Sequence, residues 1–324
     1  MKYKAAILGY YGFGNLGDEL LLTACLDMFT RCGVSRDALV VLSNNPAETS
    51  RNFGVDAVNR WKFREVVKAL RQSQTLLLGG GGLFQDKTSV KSCVWYWGIV
   101  RLAKFLGCRV WALGQSVGPL SSKLSKVLAG DALRLCEAVH VRDENSCVLA
   151  ESLGCRNVIK GCDLVLTLKP DAVPSPQNGS YMLVNLRPSE NLDSFVKIIA
   201  PELEGRRVVP TACYATGAAL SDEDIDALAG LGLHDVVRVR TLNDAAKLWA
   251  GASCAVGMRL HFGVLSQIFR TPLAVMPYDA KVTGFAEQSG VPCIVDEWRE
   301  PVMPLPVPDC AGEIDAICRE ILAL

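Results

Sequence analysis

Strand-length apolar runs alternate with stretches of helical periodicity along almost the whole of this 324-residue chain, and that alternation restricts the fold more than any other feature. A continuous apolar run of four to eight residues fits a strand covered on both faces, and such strands belong to parallel sheets between layers of helices. In the first part, YKAAILGY, ALVVLS, TLLLGG, RVWALGQ and AVHVRD read as strands. Between and after them DELLLTACLDMFTRCG, FREVVKALRQ, WGIVRLAKFLG, SKVLAGDALRLCE and ENSCVLAESLG read as helices, followed by a short NVIKGCDLVL. In the first of these helices Leu20, Leu21, Ala24, Cys25 and Met28 recur at helical spacing, and Gly33 stands where a helix closes.

The pattern stops near residue 168. LKPDAVPSPQNGS carries three prolines and few apolar residues, as a linker does. A second series follows: YMLVNLRP, RRVVPT, DIDALAGLG, DVVRVR, NDAAKLWAGA, CAVGMR, LHFGVLSQIFR, PLAVMPY and PCIVD. The chain is also longer than one hydrophobic core comfortably grows. The expected class is α/β, with two doubly wound Rossmann-like domains over residues 1–168 and 181–300 and a linker over 169–180. Residues 301–324, a Pro-rich segment and a last apolar helix, are expected to cross back to the first domain.

Charge excludes some functions. Lys and Arg together number 34 and so do Asp and Glu, which leaves no overall field for nucleic acid. No apolar run reaches the length of a membrane span, and the N-terminus does not read as a signal peptide, so a cytoplasmic protein is expected. The thirteen cysteines are scattered, with no C-x-x-C and no clustering with histidine. They read as reduced, buried thiols rather than disulfides or metal ligands.

The segment GYYGFGNLGDE holds a literal G-x-G-x-x-G at Gly12, Gly14 and Gly17, between the first strand and the first helix. A dinucleotide site needs an acidic residue at the end of the second strand, and here that strand ends in Ser43, Asn44 and Asn45. Asp18 and Glu19 put negative charge where a pyrophosphate would sit. Asn15 can cap the helix instead, or Asn15 and Asp18 can hydrogen-bond sugar hydroxyls. Four glycines, 79 to 82, follow another strand and permit close approach, either of a ligand or of a neighbouring element.

Ligands of doubly wound sheets bind at the carboxyl ends of the strands. Basic residues gather at those positions: Arg142 after AVHV, Arg187 after YMLVNL, Arg259 after CAVGM, and Lys281 in PYDAK. Together they describe an anion pocket. Of the three histidines, His140 lies inside an apolar strand and His234 in a loop. His261, two residues from Arg259 at a strand-to-helix junction, is the candidate acid or base.

The motifs GYYGFGNLGDE, GGGGLFQD, GQSVGP, VRDENS, VGMRLHF and PYDAKV, in this order, resemble the polysaccharide pyruvyl transferase family, and within it the bacterial cell-wall members of the CsaB type. The resemblance implies a GT-B-like architecture, with the two domains facing a cleft. It implies transfer of the enolpyruvyl unit of phosphoenolpyruvate to a sugar of a lipid-linked oligosaccharide acceptor, commonly N-acetylmannosamine, as a cyclic ketal with loss of phosphate. Motif by motif, the resemblance implies donor binding by Arg142 and Lys281 and catalysis by His261; the strand-end cations Arg259 and Arg187 are expected to join the donor site, and Asn15 and Asp18 to hold the acceptor. No cofactor or metal is implied, and a lipid-linked acceptor implies peripheral contact with the inner face of the cell membrane. Ala280 replaces a proline usual in the family, which loosens the loop that carries Lys281. A glycosyltransferase using a nucleotide-sugar donor, with Asp279 or Glu287 on the ribose, is the enzymatic alternative. A sugar-binding module without catalysis is the other.

Overall fold

The computed structural model of the protein describes residues 1–87, 89–170, 179–213 and 223–323. Most of the linker expected over 169–180 lies outside those residues. The chain divides into two compact units, one made of Met1–Phe13, Leu21–Leu168 and Asp309–Leu324, the other of Gly14–Leu20 and Lys169–Pro308.

The first unit holds β1 (Tyr3–Leu8), most of α1 (Leu16–Arg31), β2 (Leu39–Ser43), α2 (Pro46–Phe53), β3 (Asp56–Asn59), α3 (Phe63–Arg71) and β4 (Ser73–Gly81). These are followed by α4 (Val90–Phe105), β5 (Arg109–Gln115), α5 (Lys123–Arg134), β6 (Val139–Val141), α6 (Glu144–Ser152) and β7 (Val158–Lys160). All seven strands are parallel, in the order β3-β2-β1-β4-β5-β6-β7, with Ile7 opposite Val41 on one side and Leu77 on the other. The central strands are apolar at successive positions because helices cover both faces: Leu76, Leu77 and Leu78 are all fully buried. Each such side chain contributes about 1.5–3 kcal/mol relative to exposure.

The second unit holds β8 (Tyr181–Asn185), α7 (Leu192–Leu203), β9 (Val208–Ala212), α8 (Glu223–Ala229), β10 (Val237–Arg238) and α9 (Leu242–Trp249). It continues through β11 (Ala252–Gly257), α10 (Leu260–Ile268), β12 (Leu273–Val275) and α11 (Ala280–Ser289). Its parallel strands run β10-β9-β8-β11-β12. PCIVD, expected to be a strand, supplies only a single bridge between Cys293 and Val275, because its neighbour β12 is three residues long.

The last helix, α12 (Ala311–Leu322), belongs to the first unit. Arg31 grips Asp315 through Nε and Nη2, and Arg109 donates to the carbonyl of Ile321. A disulfide joins Cys162, just after β7, to Cys310, just before α12. The expectation of reduced thiols is therefore wrong for this pair, because the fold brings together two cysteines 148 positions apart in sequence. The remaining cysteines of the chain are free thiols, most of them buried.

His140 on β6 is a core group. Its Nδ1 accepts the amide of Gly114 at 3.0 Å, and burial pushes its pKa from 6.5 down to about 4. The folded state therefore takes up fewer protons than the unfolded chain, and stability is lost as pH falls from 6.5 towards 4, by about 3 kcal/mol from this group when complete. Urea midpoints at pH 7 and pH 5 are expected to fall further apart in the parent than in His140→Gln. Equal pH dependence in the two proteins would rule this origin out.

Candidate active site

In an open parallel sheet the ligand crevice opens where the strand order reverses, at the carboxyl ends of the strands. In the second unit that point lies between β8 and β11. Asn185 ends β8, and its side chain braces the loop after β11: Oδ1 accepts the amide of Arg259 at 3.0 Å, while Nδ2 donates to the Thr211 carbonyl at 2.9 Å and to Asp224 Oδ2 at 3.2 Å. Asp224, at the start of α8, is completely buried. Its Oδ1 accepts Arg259 Nε and Nη2 at 2.9 and 2.6 Å, and its Oδ2 accepts the Cys213 amide at 3.0 Å. Glu223 lies 3.5 Å from the same guanidinium. Arg259 is thus held rigidly, and most of its charge is offset.

Arg187 is different. It leaves β8 with its amide donating to the Met258 sulfur, and its guanidinium carbon lies 4.2 Å from the centre of the Tyr278 ring. Among the described residues it forms no ion pair. Its Nε and the Oγ of Ser189, two positions on, are buried and make no hydrogen bond to a described residue. Burial, with Asp279 as a lesser cause, raises the Tyr278 phenol, which stays protonated beside the guanidinium. A guanidinium held against a ring and not paired with a described carboxylate keeps its charge available to an anion.

His261 lies in the first turn of α10, two residues beyond Arg259. Its imidazole packs over the backbone of Gly17 in the first turn of α1: a Cβ built on Gly17 would fall 2.6 Å from ring atoms Cε1 and Cγ and closer still to Nδ1. The third glycine of the G-x-G-x-x-G run therefore makes room for a histidine. Residues 14–20, expected in the first half of the chain, group with the second unit, anchored where the Leu16 amide donates to the Cys213 carbonyl at 3.0 Å. Asn15 caps this turn, its Oδ1 accepting the Gly17 amide at 3.1 Å, and Asp18 sits one residue further along the same turn.

Lys281 is in the first turn of α11, with its amide bonded to Asp279 Oδ1 at 3.0 Å. Asp279 is the cap of that helix, which occupies the carboxylate considered for a donor ribose, and Glu287 on the same helix is exposed. Arg142 belongs to the first unit. There it is buried, with Nη1 paired to Asp163 Oδ2 at 2.8 Å. The second unit by itself thus gathers Arg187, Arg259, His261 and Lys281 on the loops that follow β8, β11 and β12, and the first turn of α1 beside the histidine.

In the first unit the Gly-rich stretches are filled by the protein itself. Tyr11 donates its hydroxyl to the Gly79 carbonyl at 2.7 Å, and Asn44 donates Nδ2 to the Gly12 carbonyl at 3.2 Å.

A family model for polysaccharide pyruvyl transferase matches residues 15–280, most of the chain. The chain belongs to the polysaccharide pyruvyl transferase family. This pyruvyl transferase homologue is thereby a transferase enzyme. No curated protein sequence matches it significantly. Solved structures similar to it include UDP-GlcNAc 2-epimerase from Methanocaldococcus jannaschii, with 9% identity, TM-score 0.64 and 99% of each chain covered. The Anabaena protein HepE, solved with UDP and glucose, has 13% identity and TM-score 0.57 over 98% of this chain and 90% of its own. The UDP-N-acetylglucosamine 2-epimerase of Rickettsia bellii has 14% identity and TM-score 0.55 over 99% of this chain and 96% of its own. At these identities the likeness concerns the fold, which is α/β and GT-B-like, with two Rossmann-like units.

Proposed function

We propose that this enzyme transfers the pyruvyl group of phosphoenolpyruvate to a sugar of a cell-wall polysaccharide precursor, as the CsaB-type members do, with N-acetylmannosamine of a lipid-linked oligosaccharide as the acceptor. The observation that supports it most is Arg187, a cation with no described carboxylate partner at the carboxyl edge of the second sheet, beside buried Ser189 Oγ and a rigid Arg259. Phosphoenolpyruvate carries a phosphate and a carboxylate a few bonds apart, so it needs several cationic and hydroxyl partners in one place. Arg187, Ser189, Arg259 and Lys281 supply them. Arg142 retains a donor role on the resemblance alone, since its guanidinium is committed to Asp163.

The reaction balances without a cofactor. A proton adds to the methylene carbon, and a sugar hydroxyl attacks the oxocarbenium carbon so formed. The C–O bond to phosphate then breaks, and a second hydroxyl closes the ketal. Of the two hydroxyl protons lost, one balances the proton that made the methyl group and the other leaves with phosphate. His261 moves these protons, as acid or base. Asn15 and Asp18 lie on the turn that packs against His261, and in this reading they hold the acceptor hydroxyls. A lipid-linked acceptor brings the enzyme to the inner face of the cell membrane as a peripheral visitor from the cytoplasm. Among the described residues no helix is long and apolar enough to cross a membrane.

Calorimetric titration tests the donor site. Arg187→Ala is expected to weaken phosphoenolpyruvate binding by roughly tenfold to a hundredfold, the value of one or two hydrogen bonds to a charged group. Unchanged affinity in this variant, or binding of UDP-sugars in place of phosphoenolpyruvate, would refute the assignment.

A further inference from the structure

The first unit carries an exposed indole that is not free to move. Trp61, just past β3, is 58% exposed, yet its Nε1 donates to Asn44 Oδ1 at 2.8 Å and its amide donates to Asn59 Oδ1 at 2.9 Å. Asn44 is fixed in turn by its bond to the Gly12 carbonyl. Behind the indole stands Arg60, only 4% exposed, with its guanidinium carbon 4.0 Å from the Trp95 ring centre, 5.2 Å from Trp61, 5.3 Å from Phe13 and 5.5 Å from Tyr96. Its Nη1 and Nη2 donate to the Gly9 carbonyl and the Tyr96 hydroxyl at 2.7 and 3.2 Å. No described carboxylate pairs with this buried charge, so the surrounding rings balance it, and they are bound together by it. Arg60 is thus the hub that keeps an indole in place at the surface.

An exposed aromatic that is held still has lost the entropy that burial against a ligand would otherwise remove. The platform lies at the carboxyl ends of β1, β2 and β3, the edge where such sheets bind ligands. Asn44 stands beside the ring, and the next residue along the chain is the exposed Asn45, which donates to Glu48 at 2.7 Å. A flat apolar ring with an amide bonded to its edge matches one kind of small ligand, a pyranose with an apolar C–H face and a rim of hydroxyls. We infer that Trp61, with Asn44 and Asn45, is a saccharide-binding platform of the first unit.

The saccharide class rests on the pyruvyl-transfer reading, and the test separates the two. The probe is a soluble N-acetylmannosaminyl-N-acetylglucosamine disaccharide, followed by saturation-transfer NMR, with phosphoenolpyruvate binding measured on the same samples. Saturation of the sugar ring protons is expected with the parent protein. Trp61→Ala is expected to weaken disaccharide binding about tenfold or more, Trp61→Phe to keep part of it, and both variants to bind phosphoenolpyruvate as the parent does. Equal disaccharide binding by parent and Trp61→Ala, or none by the parent, overturns the platform while leaving donor binding to be judged by itself. Loss of binding to phosphatidylglycerol vesicles in Trp61→Ala, with sugar binding unaltered, overturns it in favour of a lipid surface.

Discussion

Replacement of Asp224 by Ala is expected to destabilise the protein more than any other single change around the candidate active site. The carboxylate is fully buried and accepts two bonds from Arg259, one from Asn185 and one from the Cys213 amide. Its removal strands a guanidinium whose side chain is 12% exposed and leaves two further donors unmatched. Removing one partner of a buried pair costs about 3–5 kcal/mol, which lowers Tm on the order of 10 °C in a body of this size. Activity is expected to fall as well, because Arg259 loses the contact that aims it. The pair Asp224→Leu with Arg259→Met is expected to recover much of the stability and none of the activity, since an apolar pair of similar volume leaves no charge buried. An unchanged Tm in Asp224→Ala would contradict the geometry described.

Gly17→Ala is expected to have the largest effect on turnover. The added methyl group would overlap the imidazole of His261, so the ring or the first turn of α1 must shift. Displacing a catalytic group by about 1 Å can lower the rate roughly a hundredfold, and overpacking of this kind costs about 1–3 kcal/mol in stability. The steric origin has its own check. In a His261→Ala background the three atoms nearest that methyl group are gone, so Gly17→Ala is expected to destabilise the protein much less than it does in the parent. A substitution equally harmful with and without the imidazole would show that Gly17 serves the backbone alone. Phosphate release from phosphoenolpyruvate in the presence of acceptor measures the first effect, and urea denaturation the second.

The architecture was legible because both sheets are covered on both faces. Such strands appear as unbroken apolar runs, and nearly every one forms where its run lies. Short or polar elements were not legible: β3 is the four residues DAVN, and α7 carries Pro201 inside it, which reads as an interruption. At the candidate site the strand-end position of Arg187, Arg259, His261 and Lys281 was readable, because doubly wound sheets expose their ligands there. What they touch was not. Asp224 looks like any other acid of SDEDIDALAG until folding brings it to Arg259, 35 residues away. Gly17 matches a phosphate-loop spacing, while its actual reason lies 244 residues downstream in His261. The same long-range pairing explains why Arg142 and Arg259 carry less usable charge than the sequence indicates. Each meets a buried aspartate, and among the described residues Arg187 does not.

The most direct measurement supplies phosphoenolpyruvate labelled with carbon-13 at its second carbon, together with the lipid-linked N-acetylmannosaminyl acceptor, and follows the labelled carbon by NMR while inorganic phosphate is assayed. The expected result is a new ketal carbon attached to the sugar, with one phosphate released for each ketal formed and neither seen with Arg187→Ala or His261→Ala. Recovery of the label only as phosphoenolpyruvate or free pyruvate, with UDP released from a UDP-sugar in a parallel reaction, would contradict pyruvyl transfer at this site.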